Sequence, residues 1–269
     1  MIETVKQVKK LIFNSATISY YMIGDRKKET IVMLHPAFAD HQIFEPQIEH
    51  FKHNYQIILI DMPGHGKTQV AGSKVTLRDM PEILDQLLAE NDIPSCHLVG
   101  VSLGSLIAQA FAENYPNRVK SVMIVGGYSI HKANERVLKA QKKEGLKWIF
   151  YTLLSMNKFK RYIISGSCHT DQGRDLFSKG VEHFTKKSFS AMAGMNRFFT
   201  KKAKPMPYPL LLVIGEHDLP LIQEATMELH KLEPHSQRLV LAGAGHCANV
   251  DAPLEFNQIA ERFLSDCDL

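Results

Sequence analysis

The sequence predicts an α/β fold, a doubly wound and mostly parallel sheet with an inserted helical segment. Three observations predict it. Short runs of branched apolar residues recur along the chain and end at turn signals, helical patterns fill the spaces between them, and that rhythm stops between residues 127 and 205, where helical patterns follow one another without a strand. Continuous apolar runs of this length suit strands buried on both faces. Strands alternating with helices imply parallel pairing, with the crossover helices covering the sheet.

The strand-like runs are 17–23, rich in β-branched and aromatic residues; 30–34 (TIVML), ending at His35-Pro36; 56–60 (QIILI), ending at Asp61; 96–101 (CHLVGV), ending at Ser102; 119–125 (VKSVMIV), ending at Gly126-Gly127; 210–214 (LLLVI), ending at Gly215; and 237–241 (QRLVL), ending at Ala242-Gly243. Helical patterns lie at 76–90, with a Thr cap and apolar Ile83, Leu84, Leu87 and Leu88, at 103–114, stopped by Pro116, and at 221–232 and 253–264. Between 127 and 205 the expected helices are 134–144, 146–155, 158–164, 171–180 and 188–199. The prolines of 201–209 cannot continue a helix and mark the return to the sheet. The domain reading is therefore a core of residues 1–126 and 206–269 with a helical cap at 127–205. No internal repeat or low-complexity stretch interrupts it.

A chain of 269 residues, 45% apolar and 22% charged, can bury a sizeable core without covalent staples. Cys96, Cys168, Cys247 and Cys267 form no C-x-x-C pair, which argues against a disulfide framework or a zinc site and fits a reducing compartment. The N-terminal stretch has no long apolar h-region, and no run reaches the ~18 apolar residues of a membrane span. The expectation is a soluble, cytoplasmic protein. Net charge is +4, yet residues 127–205 hold 17 Lys and Arg against 5 Asp and Glu, so a basic segment sits inside an acidic remainder. The plain reading is a solvated outer face; the functional alternative is steering of an anionic substrate or docking on an anionic surface. These lysines lack the interleaved aromatics of a nucleic-acid module, so no nucleic-acid partner is expected.

The sharpest chemical signal is Gly100-Val101-Ser102-Leu103-Gly104, a G-x-S-x-G motif between a strand pattern and a helix pattern. A strained turn there aims the serine hydroxyl out of the sheet, and the residues two before and two after it are pressed together, so both must be small. The helix N-terminus then offers free N–H groups to a developing oxyanion. A serine hydroxyl needs a base, and the base needs an orienting carboxylate. Asp218 follows the strand in LLVIGEHD, and His246 follows the next strand in LAGAGH. Both fall where loops leave the C-terminal edge of a parallel sheet, in the chain order Ser, Asp, His. The bland alternatives are an incidental serine in a glycine-rich turn, a solvated loop Asp and a loop His packed for stability. Asp251 is the second choice for the acid. The other histidines lack ligand spacing, so no metal is expected. With neither GxxxxGK[ST] nor GxGxxG present, no cofactor is expected either.

Four blocks resemble the α/β-hydrolase superfamily: Leu34-His35-Pro36-Ala37-Phe38, Asp61-Met62-Pro63-Gly64-His65-Gly66, Gly100–Gly104, and the pair Gly215–Asp218 with Gly243–His246. The resemblance implies Ser102 as nucleophile, Asp218 as acid and His246 as base, with a cap domain over the site. It implies an oxyanion hole from the backbone N–H groups of Ala37 and Leu103. Pro36 stands where the family usually has glycine, which makes Phe38 the second choice for the first donor. His35, Asp61 and His65 read as structural. Some relatives carry the acid after the sixth strand; Gly126-Gly127 occupies that place here, which favours Asp218. The implied reaction is acyl transfer from a carboxylic ester or lactone, a small-molecule substrate, to water. Relatives that cleave C–C bonds with the same three residues, and relatives that serve as ligand receptors or partner proteins with slow turnover, are alternatives the sequence leaves open, as it does oligomeric state. A cap over the sheet edge gives pocket candidates Phe38, Tyr128, Trp148, Phe150, Met192, Met195 and Phe198.

Overall fold

A computed structural model describes residues 6–68, 70–131, 135–200 and 205–267. The chain opens with a hairpin of β1 (Gln7–Phe13) and β2 (Ala16–Ile23). Its two-residue turn places Asn14 and Ser15 at φ 44° and 66°. Two positive φ values in succession match the right-handed twist of a tight hairpin. There follow β3 (Thr30–Leu34), α1 (Glu45–Phe51), β4 (Gln56–Ile60), α2 (Met80–Glu90), β5 (Cys96–Val101), α3 (Leu103–Asn114) and β6 (Val119–Val125). Next come α4 (Glu135–Leu154), α5 (Met156–Ser167), α6 (Asp171–Gly180) and two 3-10 turns, Lys186–Met192 and Met195–Phe198. The chain then returns through β7 (Leu210–Gly215), α7 (Pro220–Leu232), β8 (Gln237–Leu241), α8 (Ala248–Asp251) and α9 (Pro253–Cys267).

The eight strands form one sheet in the order β1-β2-β4-β3-β5-β6-β7-β8. The β1 and β2 strands pair antiparallel, β2 pairs antiparallel with β4, and all other neighbours are parallel. In β3, β4, β5 and β7 every residue is buried, as their unbroken apolar runs require. The helices cover these faces with apolar stripes; α2 buries Ile83, Leu84, Leu87 and Leu88, each contributing about 1.5–3 kcal/mol.

Three differences from the sequence reading have physical causes. The β1 strand has no apolar alternation of its own, because Lys9 and Lys10 sit on an outer edge strand, so it was not anticipated. The expected helices 134–144 and 146–155 are one helix of 20 residues, α4; Asn134 lies outside the described residues. Gly145 does not break it, since a glycine costs a helix only about 1 kcal/mol relative to alanine. The expected helix 188–199 is instead the two 3-10 turns, separated at Gly194, whose φ of 87° is incompatible with helix.

Strand β3 is flanked by β4 on one side and β5 on the other, so the connections leave it in opposite directions and open a crevice at its C-terminal end. The register aligns the strand ends: Leu34 pairs with Gly100, Val125 with Val213, and Gly215 with Leu241. The loops bearing Ala37, Ser102, Asp218 and His246 therefore leave one edge of the sheet together. No helix among the described residues is long and apolar enough to cross a membrane.

Candidate active site

Ser102 stands between β5 and α3 at φ 50°, ψ −111°. A non-glycine residue in that region stores about 1–3 kcal/mol, and packing must hold it. The clamp is the close approach of β3, β5 and α3. A Cβ on Gly100 would lie 2.5 Å from the Gly104 carbonyl oxygen, and one on Gly104 would lie 2.1 Å from that of Leu34. The Ser102 N–H donates to the Val125 carbonyl (2.8 Å), and the Ser105 hydroxyl donates to the Ser102 carbonyl (2.6 Å).

His246 Nε2 lies 2.8 Å from Ser102 Oγ, and His246 Nδ1 lies 2.9 Å from Asp218 Oδ1. A carboxylate only accepts, so the Nδ1 proton points to Asp218 and Nε2 is left to accept from the serine hydroxyl. Asp218 is buried, its Oδ1 also takes the Leu219 N–H (2.7 Å), and its Oδ2 is buried with no partner among the described residues. Burial pulls the His246 pKa down, but the charge of Asp218 and its hydrogen bond outweigh burial, and the net shift is upward. The ring lies on Gly126, where a Cβ would come within 2.9 Å of Nδ1.

The turn after β3 is held by two buried histidines. His35 Nε2 accepts the Met62 N–H (3.1 Å) while its Nδ1 faces the Pro36 carbonyl (2.8 Å). His65 Nε2 accepts the Phe38 N–H (3.1 Å) while its Nδ1 faces the Pro63 carbonyl (3.0 Å). Each Nε2 faces an N–H donor, so each ring must be neutral there. Burial lowers both pKa values, that of His65 to about 3, with the neighbouring His35 adding to the effect. The Phe38 amide is thus engaged, whereas no described residue accepts the amides of Ala37 or Leu103. Asp61 anchors the same loops: its carboxylate takes the Tyr21 hydroxyl, the Lys67 amide and both Nδ1 and the amide of His41. Burial raises its pKa, but the His41 hydrogen bond and charge, with the Lys67 amide, carry it down to about 2. Among the described residues, Asp40, His41 and Asp61 bring potential metal-ligand atoms within 4.8 Å of one another, but the Asp61 and His41 atoms are already engaged in these loop bonds.

A family model for the alpha/beta hydrolase fold matches residues 29–253. The chain belongs to the α/β hydrolase family. It is 24% identical over 255 residues to the (E)-2-((N-methylformamido)methylene)succinate hydrolase of Acinetobacter baylyi, covering 93% of this chain and 95% of that one. It is 27% identical over 257 residues to a 2-hydroxy-6-oxononadienedioate/2-hydroxy-6-oxononatrienedioate hydrolase of Cupriavidus pinatubonensis, covering 88% and 87%. A carboxylesterase structure from Nitrososphaera gargenis superposes with a TM-score of 0.80 at 20% identity, covering 97% of this chain and 99% of that one, a likeness of fold.

Around the site of this α/β hydrolase, Phe38 is the centre of an aromatic cluster. Trp148 of α4, Phe159 of α5 and Phe184 meet it edge-on, with ring centroids 4.9, 5.2 and 5.1 Å away, and Phe189 lies at 6.2 Å. Tyr128 is buried, stacked on Phe199, with its hydroxyl bonded to Gln141 and its carbonyl to Gln109. Met192 and Phe198 are buried and Met195 half-buried, on the two 3-10 turns, the second of which packs on α3. Phe150 is different: it is 58% exposed, on the face of α4 away from Trp148, and is no pocket residue. Helical phase separates the two, since residues two apart on a helix point to different faces.

Asp251 is not beside His246. Its carboxylate accepts the amides of Gly245 (2.8 Å), His169 (2.8 Å) and Thr170 (2.9 Å) and the Thr170 hydroxyl (2.7 Å). It ties the His246 loop to the α5–α6 junction, and the Cys247 N–H donates to the Ser167 carbonyl alongside (2.9 Å). Nothing in the sequence marks that role, because the partners are backbone amides about 80 residues away. Next to it, a cavity of about 80 Å³ is lined by Cys168, His169, His217, Asp218, Gly245 and His246, among others.

Proposed function

We propose that this α/β hydrolase is a serine hydrolase that cleaves a small carboxylic ester or lactone by acyl transfer through Ser102. The observation that carries the reading is the unbroken hydrogen-bonded chain Ser102–His246–Asp218. His246 Nε2 takes the hydroxyl proton as Ser102 attacks the carbonyl. The upward pKa shift from Asp218 suits an imidazole that must become cationic at that moment. The tetrahedral oxyanion is held by the Ala37 amide and by the Leu103 amide at the N-terminus of α3, neither of which is taken by a described residue. His246 then protonates the leaving group, and water repeats the cycle. Residues 127–205 act as a cap whose Trp148 and Phe159 close over Phe38 beside the oxyanion turn.

A second reading keeps the same three residues and cleaves a C–C bond; the Cupriavidus relative, named as a hydrolase of a dienedioate, supports it. Turnover of p-nitrophenyl esters of graded chain length, lactones and a vinylogous 1,5-diketone separates the two. Esters or lactones turned over in preference to the diketone support acyl transfer; the reverse order moves the assignment to C–C cleavage. Active-site labelling without turnover of any of them points instead to a receptor.

A further inference from the structure

Helix α4 has two apolar faces, and among the described residues only one of them is covered. Val137 is buried, and Glu144, Trp148 and Tyr151 are half-buried; Trp148 packs on Phe38, Tyr151 stacks on Tyr162, and Glu144 accepts the Tyr162 hydroxyl. On the opposite face Leu146, Ile149, Phe150, Leu153 and Leu154 are 49% to 77% exposed. Their spacing of three and four makes one continuous stripe. The same stripe continues toward the helix N-terminus as Lys139, Lys142 and Lys143. Lys142 and Lys143 have no ion-pair partner among the described residues, and Lys139 has only Glu135 at 3.7 Å. An exposed apolar row of this kind marks an interaction surface.

We propose that this face of α4 docks on an anionic lipid surface, with Leu146 to Leu154 entering the acyl boundary and the three lysines meeting headgroup phosphates. Charge complementarity selects that occupant. A helix lying in the interface needs an apolar row with cations beside it, whereas α4, with its Glu, Arg and Lys residues, is too charged to span a bilayer. A second copy of the chain fits poorly. Parallel pairing of two α4 helices sets lysine on lysine, and antiparallel pairing over their full length sets lysine on leucine. Pairing confined to Leu146–Leu154 engages about two turns per helix, far short of the ~800 Å² per partner of a stable interface. The docking face does not depend on the reaction proposed for Ser102.

The test is co-sedimentation of the full chain with vesicles of phosphatidylcholine alone and of phosphatidylcholine with phosphatidylglycerol at about 3:1. Binding is expected to the anionic vesicles only and to weaken with salt. The variant Ile149→Gln/Phe150→Gln/Leu153→Gln should bind about 1000-fold less, since each of the three exposed side chains forfeits roughly tenfold of apolar transfer. Lys139→Gln/Lys142→Gln/Lys143→Gln should lose on the order of 100-fold. Both variants alter solvent-facing residues, and unchanged thermal unfolding would show that they fold. Absence of binding to anionic vesicles, or equal binding to both vesicle types, would overturn the proposal. So would a dimer in light scattering that the apolar variant abolishes, because the face would then belong to a second copy.

Discussion

Gly104→Ala tests the clamp that aims Ser102. The added Cβ would lie 2.1 Å from the Leu34 carbonyl oxygen, 2.6 Å from the Leu34 carbonyl carbon and 2.9 Å from the His35 oxygen, all of them backbone. Real Cβ contacts stay above 3.0 Å, so α3 must retreat from β3 by about 0.9 Å. Overpacking of that kind costs about 1–3 kcal/mol. The Leu103 amide leads α3 and moves with it, and a displacement of about 1 Å at a reacting centre costs on the order of 100-fold in rate. Gly145→Ala is the control: it adds the same methyl in a helix with nothing within 4 Å, and should stabilise by about 0.5–1 kcal/mol with unchanged turnover. Urea unfolding and kcat/KM on a p-nitrophenyl ester read both effects. A Gly104→Ala protein with wild-type midpoint and wild-type kcat/KM would refute the reasoning.

Other consequences are equally direct. Because Asp218 raises the His246 pKa and only neutral imidazole can act as base, kcat/KM should fall as pH drops through a value above 6.5; an acid limb centred below 6 would contradict this. Asp218→Asn should lower kcat by about 10⁴-fold while leaving the fold intact, and near-full activity would mean that the acid is misassigned. His65 is held neutral in the fold down to about pH 3, whereas in the unfolded chain it protonates near 6.5, so the unfolded state binds the extra proton between those values. Its contribution to stability is therefore complete above pH 6.5 and declines by about 1.4 kcal/mol per pH unit below it. His35 acts in the same direction, while His246, with its raised pKa, acts in the opposite one. Urea midpoints at pH 7 and 5 should show net loss on acidification, and a gain would contradict the two-histidine brace.

The parallel strands were legible because burial on both faces leaves an unmistakable apolar run, as in TIVML and QIILI. Ser102, Asp218 and His246 were legible because each follows such a run by a few residues, and the strand register sets the three loops side by side. What escaped was decided by tertiary context. The lysine-bearing β1 gains its strand from pairing with β2, not from its own pattern. The 3-10 turns near Gly194 follow from one backbone angle and from packing on the Arg78 side chain. Asp251 acts through distant amides, which no local motif encodes. Phe150 and Trp148 look alike in sequence, yet helical phase sends one to solvent and the other to Phe38.

The most direct test of the account is covalent labelling by a fluorophosphonate followed by peptide mass mapping. The reagent reports a serine whose hydroxyl is activated by a neighbouring base, the role proposed for His246, whose Nε2 lies 2.8 Å from Ser102 Oγ. One adduct is predicted, on the peptide containing Ser102, absent from Ser102→Ala and strongly slowed in His246→Ala. A folded wild-type protein that takes no label, or that takes it on another residue while Ser102 stays free, would contradict the claim that Ser102 is the nucleophile.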